Sequence, residues 1–186
     1  MKRYRSGTVF LFDLPDEVLT AENVDDFLSS QINRMERLSG VSLSSPQLSL
    51  APAHSNGVNS QEKMMERRLA AFDVLKAIKY AIDHTSGVSP QILFEFYVLH
   101  KKVWEINRDC NMNHNQFGDF KNVALNQFAE CWISAQDKYF PDEADRFDLQ
   151  IYPGETLADA GWRADQTTRK RKNGMKVGSY RDLKGI

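Results

Sequence analysis

Nowhere in the 186 residues do about 18 uncharged apolar residues run consecutively, so no segment reads as a membrane span. Cysteine is scarce. Cys110 and Cys131 are the two present, too few for a secreted disulfide framework or a four-cysteine zinc site, and they favour a reducing compartment. An excess of one charge is also missing: 24 Lys and Arg stand against 25 Asp and Glu, a net charge of −1, which excludes a chain that is basic or acidic throughout. The four histidines, His54, His84, His100 and His114, share no metal-ligand spacing with one another or with the cysteines. No glycine-rich phosphate loop, nucleophile elbow, metalloprotease helix or paired-carboxylate arrangement stands out. No metal, no cofactor and no enzymatic activity is therefore expected. At the N-terminus, Met1-Lys-Arg-Tyr-Arg5 before the apolar run Thr8 to Leu14 imitates a signal peptide, but the run is short, carries Asp13 and lacks a small-residue cleavage site, so it reads as mature chain.

What is present is a helical pattern. The 41% hydrophobic content can bury a core in one domain with appendages. Val24, Phe27, Leu28, Gln31, Met35 and Leu38 recur at three- and four-residue spacing, predicting a helix capped by Thr20 and stopped at Gly40, within a first segment 1–39. Residues 40–60 hold six serines and no Lys, Arg, Asp or Glu, which reads as a linker. Ser60 is expected to cap a second helix from Gln61 to about Thr85, with Ala71, Leu75, Ile78 and Ile82 on one stripe. Pro90, at a first helical position, opens a third. The expected fold is all-α: a small helical bundle at 61–140 and a flexible tail at 141–186.

The segment 102–132 carries the most chemical information. A short helix with Val103 and Ile106 inward leads to a three- or four-residue turn, in which Asn111 tolerates a left-handed backbone, and then to a helix capped by Asn113. Phe117, Phe120, Ala124, Phe128 and Trp132 form the buried stripe of that helix. His114, Asn115, Gln116, Gly118, Asp119 and Asn122 are left on its exposed N-terminal face. This is the layout of a helix-turn-helix, whose second helix enters the major groove of double-stranded DNA. Asn and Gln carry donor and acceptor side by side and can read adenine bidentately. Lys101, Lys102, Arg108 and Lys121 are the candidates for phosphate contacts. Asp119 opposes this reading, since phosphates repel a carboxylate.

The order of these landmarks resembles the ArpU family of phage late-operon transcriptional regulators, related to the RinA-type activators. The matching pieces are Glu22-Asn-Val-Asp-Asp-Phe-Leu28, Leu43-Ser-Ser-Pro-Gln-Leu-Ser49, Ser55-Asn-Gly57, Asn59-Ser-Gln-Glu62, Ala77-Ile-Lys-Tyr-Ala-Ile82, Gln91-Ile-Leu93, Trp104-Glu-Ile106, Asn113-His-Asn-Gln-Phe117 and Ala124-Leu-Asn-Gln-Phe-Ala129. They cover roughly residues 20–132. The resemblance implies a helix-turn-helix similar to the promoter-reading region of sigma factors, acting in the bacterial host cytoplasm on packaging, morphogenesis or lysis genes, with host RNA polymerase as a partner. Asn113 lies where the family usually has a serine cap. Asn115, Gln116, Gly118 and Asp119 lie where its recognition helix faces DNA, although Gly118 and Asp119 stand in place of what is commonly a larger residue and a basic one.

The resemblance says nothing about the tail. There residues 141–162 carry a net charge of −5 and residues 163–186 of +6, with Arg169, Lys170, Arg171 and Lys172 in a row. Such an arm can supply phosphate contacts that a weakly charged recognition helix lacks. A homodimer reading paired half-sites is a further expectation, through Phe94, Trp132 or an exchanged first helix. Two other classes fit the same pattern: a DNA-packaging protein such as a small terminase subunit, and a helical protein-interaction module with a degenerate helix-turn-helix.

Overall fold

The computed structural model describes residues 13–45 and 58–163, and it is all-α, with no strand among the described residues. The first helix, α1 (Glu17–Ser39), begins one turn earlier than the spacing predicts. Asp16 caps it, its Oδ1 accepting from the backbone N–H groups of Val18 and Leu19 at 3.0 Å each. Thr20 lies inside the helix, and its hydroxyl accepts the Ile151 N–H at 3.0 Å. Gly40 ends α1 as expected, at φ 72°, with its N–H on the Glu36 carbonyl.

Helix α2 (Val58–His84) starts ahead of Ser60 and buries Ala71, Leu75, Ile78 and Ile82 on the predicted stripe. After Gly87, α3 (Ser89–Leu93) opens with Pro90 in its first turn and loosens into a π-helical turn over Phe94–Val98. A short helix, α4 (Val103–Asp109), a long one, α5 (Phe117–Tyr139), and a single 3-10 turn, Glu143–Asp145, follow.

Helices α1, α2 and α5 pack around a single aromatic centre, Trp132, which is completely buried. Its ring meets Phe27 edge-on at 5.1 Å, stacks on Phe128 at 5.8 Å and touches Phe140 and Phe147 at 5.9 and 5.5 Å. Trp132 therefore has no surface to offer a second subunit, a correction to the expectation that it anchors a dimer. The first helix packs on its own body.

Residues 141–163 form no loose tail. They cross α1 as a strap, burying Leu149, Ile151 and Ala160, the first two worth about 1.5–3 kcal/mol each for their apolar surface. Asn23, fully buried in α1, ties the strap at two points: its Nδ2 donates to the Leu149 carbonyl at 2.9 Å, and its Oδ1 accepts the indole N–H of Trp162 at 3.0 Å. Gly161 is needed where the strap folds on itself, because a Cβ there would stand 2.9 Å from that of Phe147. The sequence hides this segment because its few apolar residues follow no helical period. The basic cluster Arg169–Lys172 lies outside the described residues.

Candidate nucleic-acid interface

Helix α4 and the start of α5 meet over a small second cluster. Ile106, completely buried, packs with Ile92 and Phe117, and half-buried Val103, Cys110 and Met112 close around them. Val103 and Ile106 thus point inward as their spacing predicts. The connection departs from expectation. It runs from Cys110 to Gln116, longer than a three- or four-residue helix-turn-helix turn. Asn111 takes the left-handed conformation at φ 53°, the role its side chain suits, and the Met112 N–H returns to the Asn107 carbonyl at 2.8 Å.

Asn113 does not cap α5. It opens a separate tight turn, in which the Gln116 N–H donates to the Asn113 carbonyl at 3.0 Å and the Gln116 side-chain oxygen accepts the Asn113 N–H at 2.9 Å. That returning side chain is one half of a capping box, placed a turn ahead of the helix. Gln116 occupies the cap position itself.

The polar row survives this shift. Asn113, His114, Asn115, Gln116, Gly118, Asp119 and Asn122 are all exposed at the N-terminal end of α5, while Phe117, Ala124, Phe128 and Trp132 hold its opposite side in the body. Phe120 is 37% exposed and stands at the border rather than in the stripe. Asp119 lies in the first turn of α5, where the helix dipole favours a carboxylate.

The four basic candidates separate into two kinds. Lys102 and Arg108 are exposed, although Arg108 also donates to Asp109 at 3.0 Å. Lys121 is not free for phosphate: its ammonium lies 2.9 Å from Asp25 of α1 and 4.5 Å from the centre of the Phe96 ring. Asp25 also accepts the hydroxyl of Tyr97, so one carboxylate fastens α1 to the π turn and to α5. Burial first, then the hydrogen bond to Asp25, pushes the Tyr97 hydroxyl far above the usual phenol range. Lys101 is likewise occupied, at 2.9 Å from Asp109 and 3.0 Å from Glu95. The bonds from Asp109 and then Glu95 raise its pKa, and those from Lys101 and then Arg108 lower that of Asp109.

Among the described residues no three His, Cys, Asp or Glu side chains converge on a metal position. Both cysteines are free, and burial pushes both thiols up, away from reactive thiolate. No described helix is long and apolar enough to cross a membrane.

Sequence reasoning missed two members of this corner. Asp25 could have been found only by knowing that α1 lies against α5. Trp104, 59% exposed, was legible in principle, since it falls off the inward spacing of Val103 and Ile106. No family model, no curated protein and no solved structure matches the chain.

Proposed function

We propose that this protein is a sequence-specific DNA-binding transcriptional regulator of the helix-turn-helix type, an activator of phage late genes that works beside the host RNA polymerase. One observation carries the reading: a set of exposed polar and small residues, Asn113, His114, Asn115, Gln116, Gly118, Asp119 and Asn122, at the N-terminal end of a helix whose other side is locked in the core. The landmarks shared with the ArpU family support it. Phosphate contacts from Lys102 and Arg108 set the position, and Asn115 with its neighbours reads base edges. The chemistry is noncovalent throughout.

The experiment is footprinting of the full chain on the region upstream of the late genes of its source genome. Protection of a discrete site supports the reading, and an Asn115→Ala chain should then lose about 1–3 kcal/mol of discrimination while keeping its non-specific affinity. Asn115 is the cleaner probe, because Gln116 also holds the turn through Asn113. A second reading, a protein-interaction module, is favoured by the loss of Lys101 and Lys121 to internal ion pairs. Absence of protection at moderate salt selects it. A ring of eight or more subunits in solution would instead select a packaging protein.

A further inference from the structure

Trp104 is out of keeping with the other tryptophans of this chain. Trp132 is completely buried and Trp162 half-buried, whereas the Trp104 indole is 59% exposed on a helix of seven residues. With Ile106 facing the small cluster, positions 104 and 108 share the outward side of α4, one turn apart. The Arg108 guanidinium lies 5.7 Å from the centre of the indole ring. The two side chains form an exposed cation–aromatic pair, the guanidinium over the indole, with exposed Lys102 at the start of the same helix.

The acids around this pair are engaged: Glu95 is buried, Glu105 folds back to accept the Lys102 N–H at 2.8 Å, and Asp109 is held between Lys101 and Arg108 at 2.9 and 3.0 Å. The Arg108 side chain is 68% exposed. Helix α4 thus turns two cations and an indole outward, while its own carboxylates are taken up by neighbouring donors. Exposed Lys102 and Arg108 with an apolar ring between them complement a polyanion whose charges alternate with flat apolar groups, which is the chemistry of a sugar-phosphate backbone.

We propose that α4 lies along the DNA backbone, with the Trp104 ring packed against a deoxyribose and Lys102 and Arg108 on the flanking phosphates. This rests on the DNA reading above and adds to it: α4 faces one strand while the start of α5 enters the neighbouring groove. An apolar sugar contact and an ionic phosphate contact leave different signatures, because only the second releases counterions.

The test uses the full chain, a labelled duplex carrying the footprinted site and a scrambled duplex of the same composition, with affinity measured over a range of salt. Trp104→Ala should weaken both duplexes about fivefold, the effect of leaving some 40 Å² of ring in water. The slope of log affinity against log salt should not change, and Trp104→Phe should recover part of the loss. Lys102→Ala and Arg108→Ala should each lower that slope by about one. Unchanged melting of the Trp104 variants shows that the fold is intact, as expected for so exposed a side chain; if Trp104→Ala melts lower, quenching of the Trp104 emission by DNA, lost in Trp104→Phe, decides instead. Wild-type affinity of Trp104→Ala for both duplexes, or a loss on the specific duplex alone, overturns the backbone contact and leaves the DNA reading standing. Failure of the unchanged chain to bind either duplex overturns both.

Discussion

Around Trp132, helices α1, α2 and α5 and the strap pool one continuous set of buried side chains, whereas α4 is held by a cluster in which Ile106 joins Ile92 and Phe117. The large cluster gains from every element that borders it. The small one depends on few contacts and is joined to the large one through Phe96, so α4 and the Cys110–Gln116 connection should open at a lower free energy than the body. Binding elements are commonly drawn from the less stable parts of a fold, where an adjustment to a partner costs little. The candidate interface spans the boundary between the two regions: α4 belongs to the thin side, and α5 runs from it into the centre of the thick one.

The contrast can be broken most forcefully at Trp132. Its replacement by alanine removes the ring shared by Phe27, Phe128, Phe140 and Phe147 and should cost about 3–5 kcal/mol in denaturant unfolding. Amide exchange should then accelerate together in α1, α5 and the strap. A rise confined to the strap would show that the body is not one unit.

Ile106→Ala should cost about 2–3 kcal/mol, and most of it locally: amides of residues 103–112 exchange faster while those of α1 and α2 keep their protection. Uniform acceleration would erase the distinction between the two clusters. A smaller effect is expected at the junction, where Tyr97→Phe removes the hydroxyl bonded to Asp25 and should cost about 1 kcal/mol at neutral pH. The folded-state pKa of Tyr97 is raised, so its contribution is complete below the unfolded value of about 10 and is lost as pH rises beyond it. Stability measured above about pH 10 should therefore fall less steeply in the phenylalanine variant than in the wild type. Equal slopes would mean that the hydroxyl is not held protonated by the fold.

The smallest change is the most informative about function. A Cβ on Gly118 meets nothing within 4 Å, so Gly118→Ala should stabilise the chain, by about 0.4–1 kcal/mol. If the start of α5 approaches DNA closely, the same substitution weakens binding while melting rises. A gain in both would remove Gly118 from the interface.

Helices and their stops were largely legible in the sequence. Gly40, Pro90 and Asn111 act where local backbone chemistry says they should, because that chemistry needs no knowledge of the rest of the chain. Thr20 misled for the opposite reason. It is a good cap by type, but Asp16 satisfies the helix end and Thr20 is drawn inward by the strap, a partner 131 residues away. Lys121 follows the same logic, since its spacing reads as surface and only Asp25, 96 residues distant, makes it internal. At the candidate interface the exposed row was legible from periodicity. The doubled turn ahead of α5 was not, because Asn113 and Gln116 satisfy one another through a side chain-to-backbone bond that a cap at Asn113 would equally suggest.

The strap's grip on α1 has a consequence for synthesis. Thr20 and Asn23 leave the ribosome early, but the groups that pair with them, on Leu149, Ile151 and Trp162, are 126 to 139 residues behind. At typical rates of translation that interval is roughly 7–30 s. During it Thr20 and Asn23 present to water the polar groups that the strap later bonds, so the first helix made completes its hydrogen bonding only when the last described segment has been made.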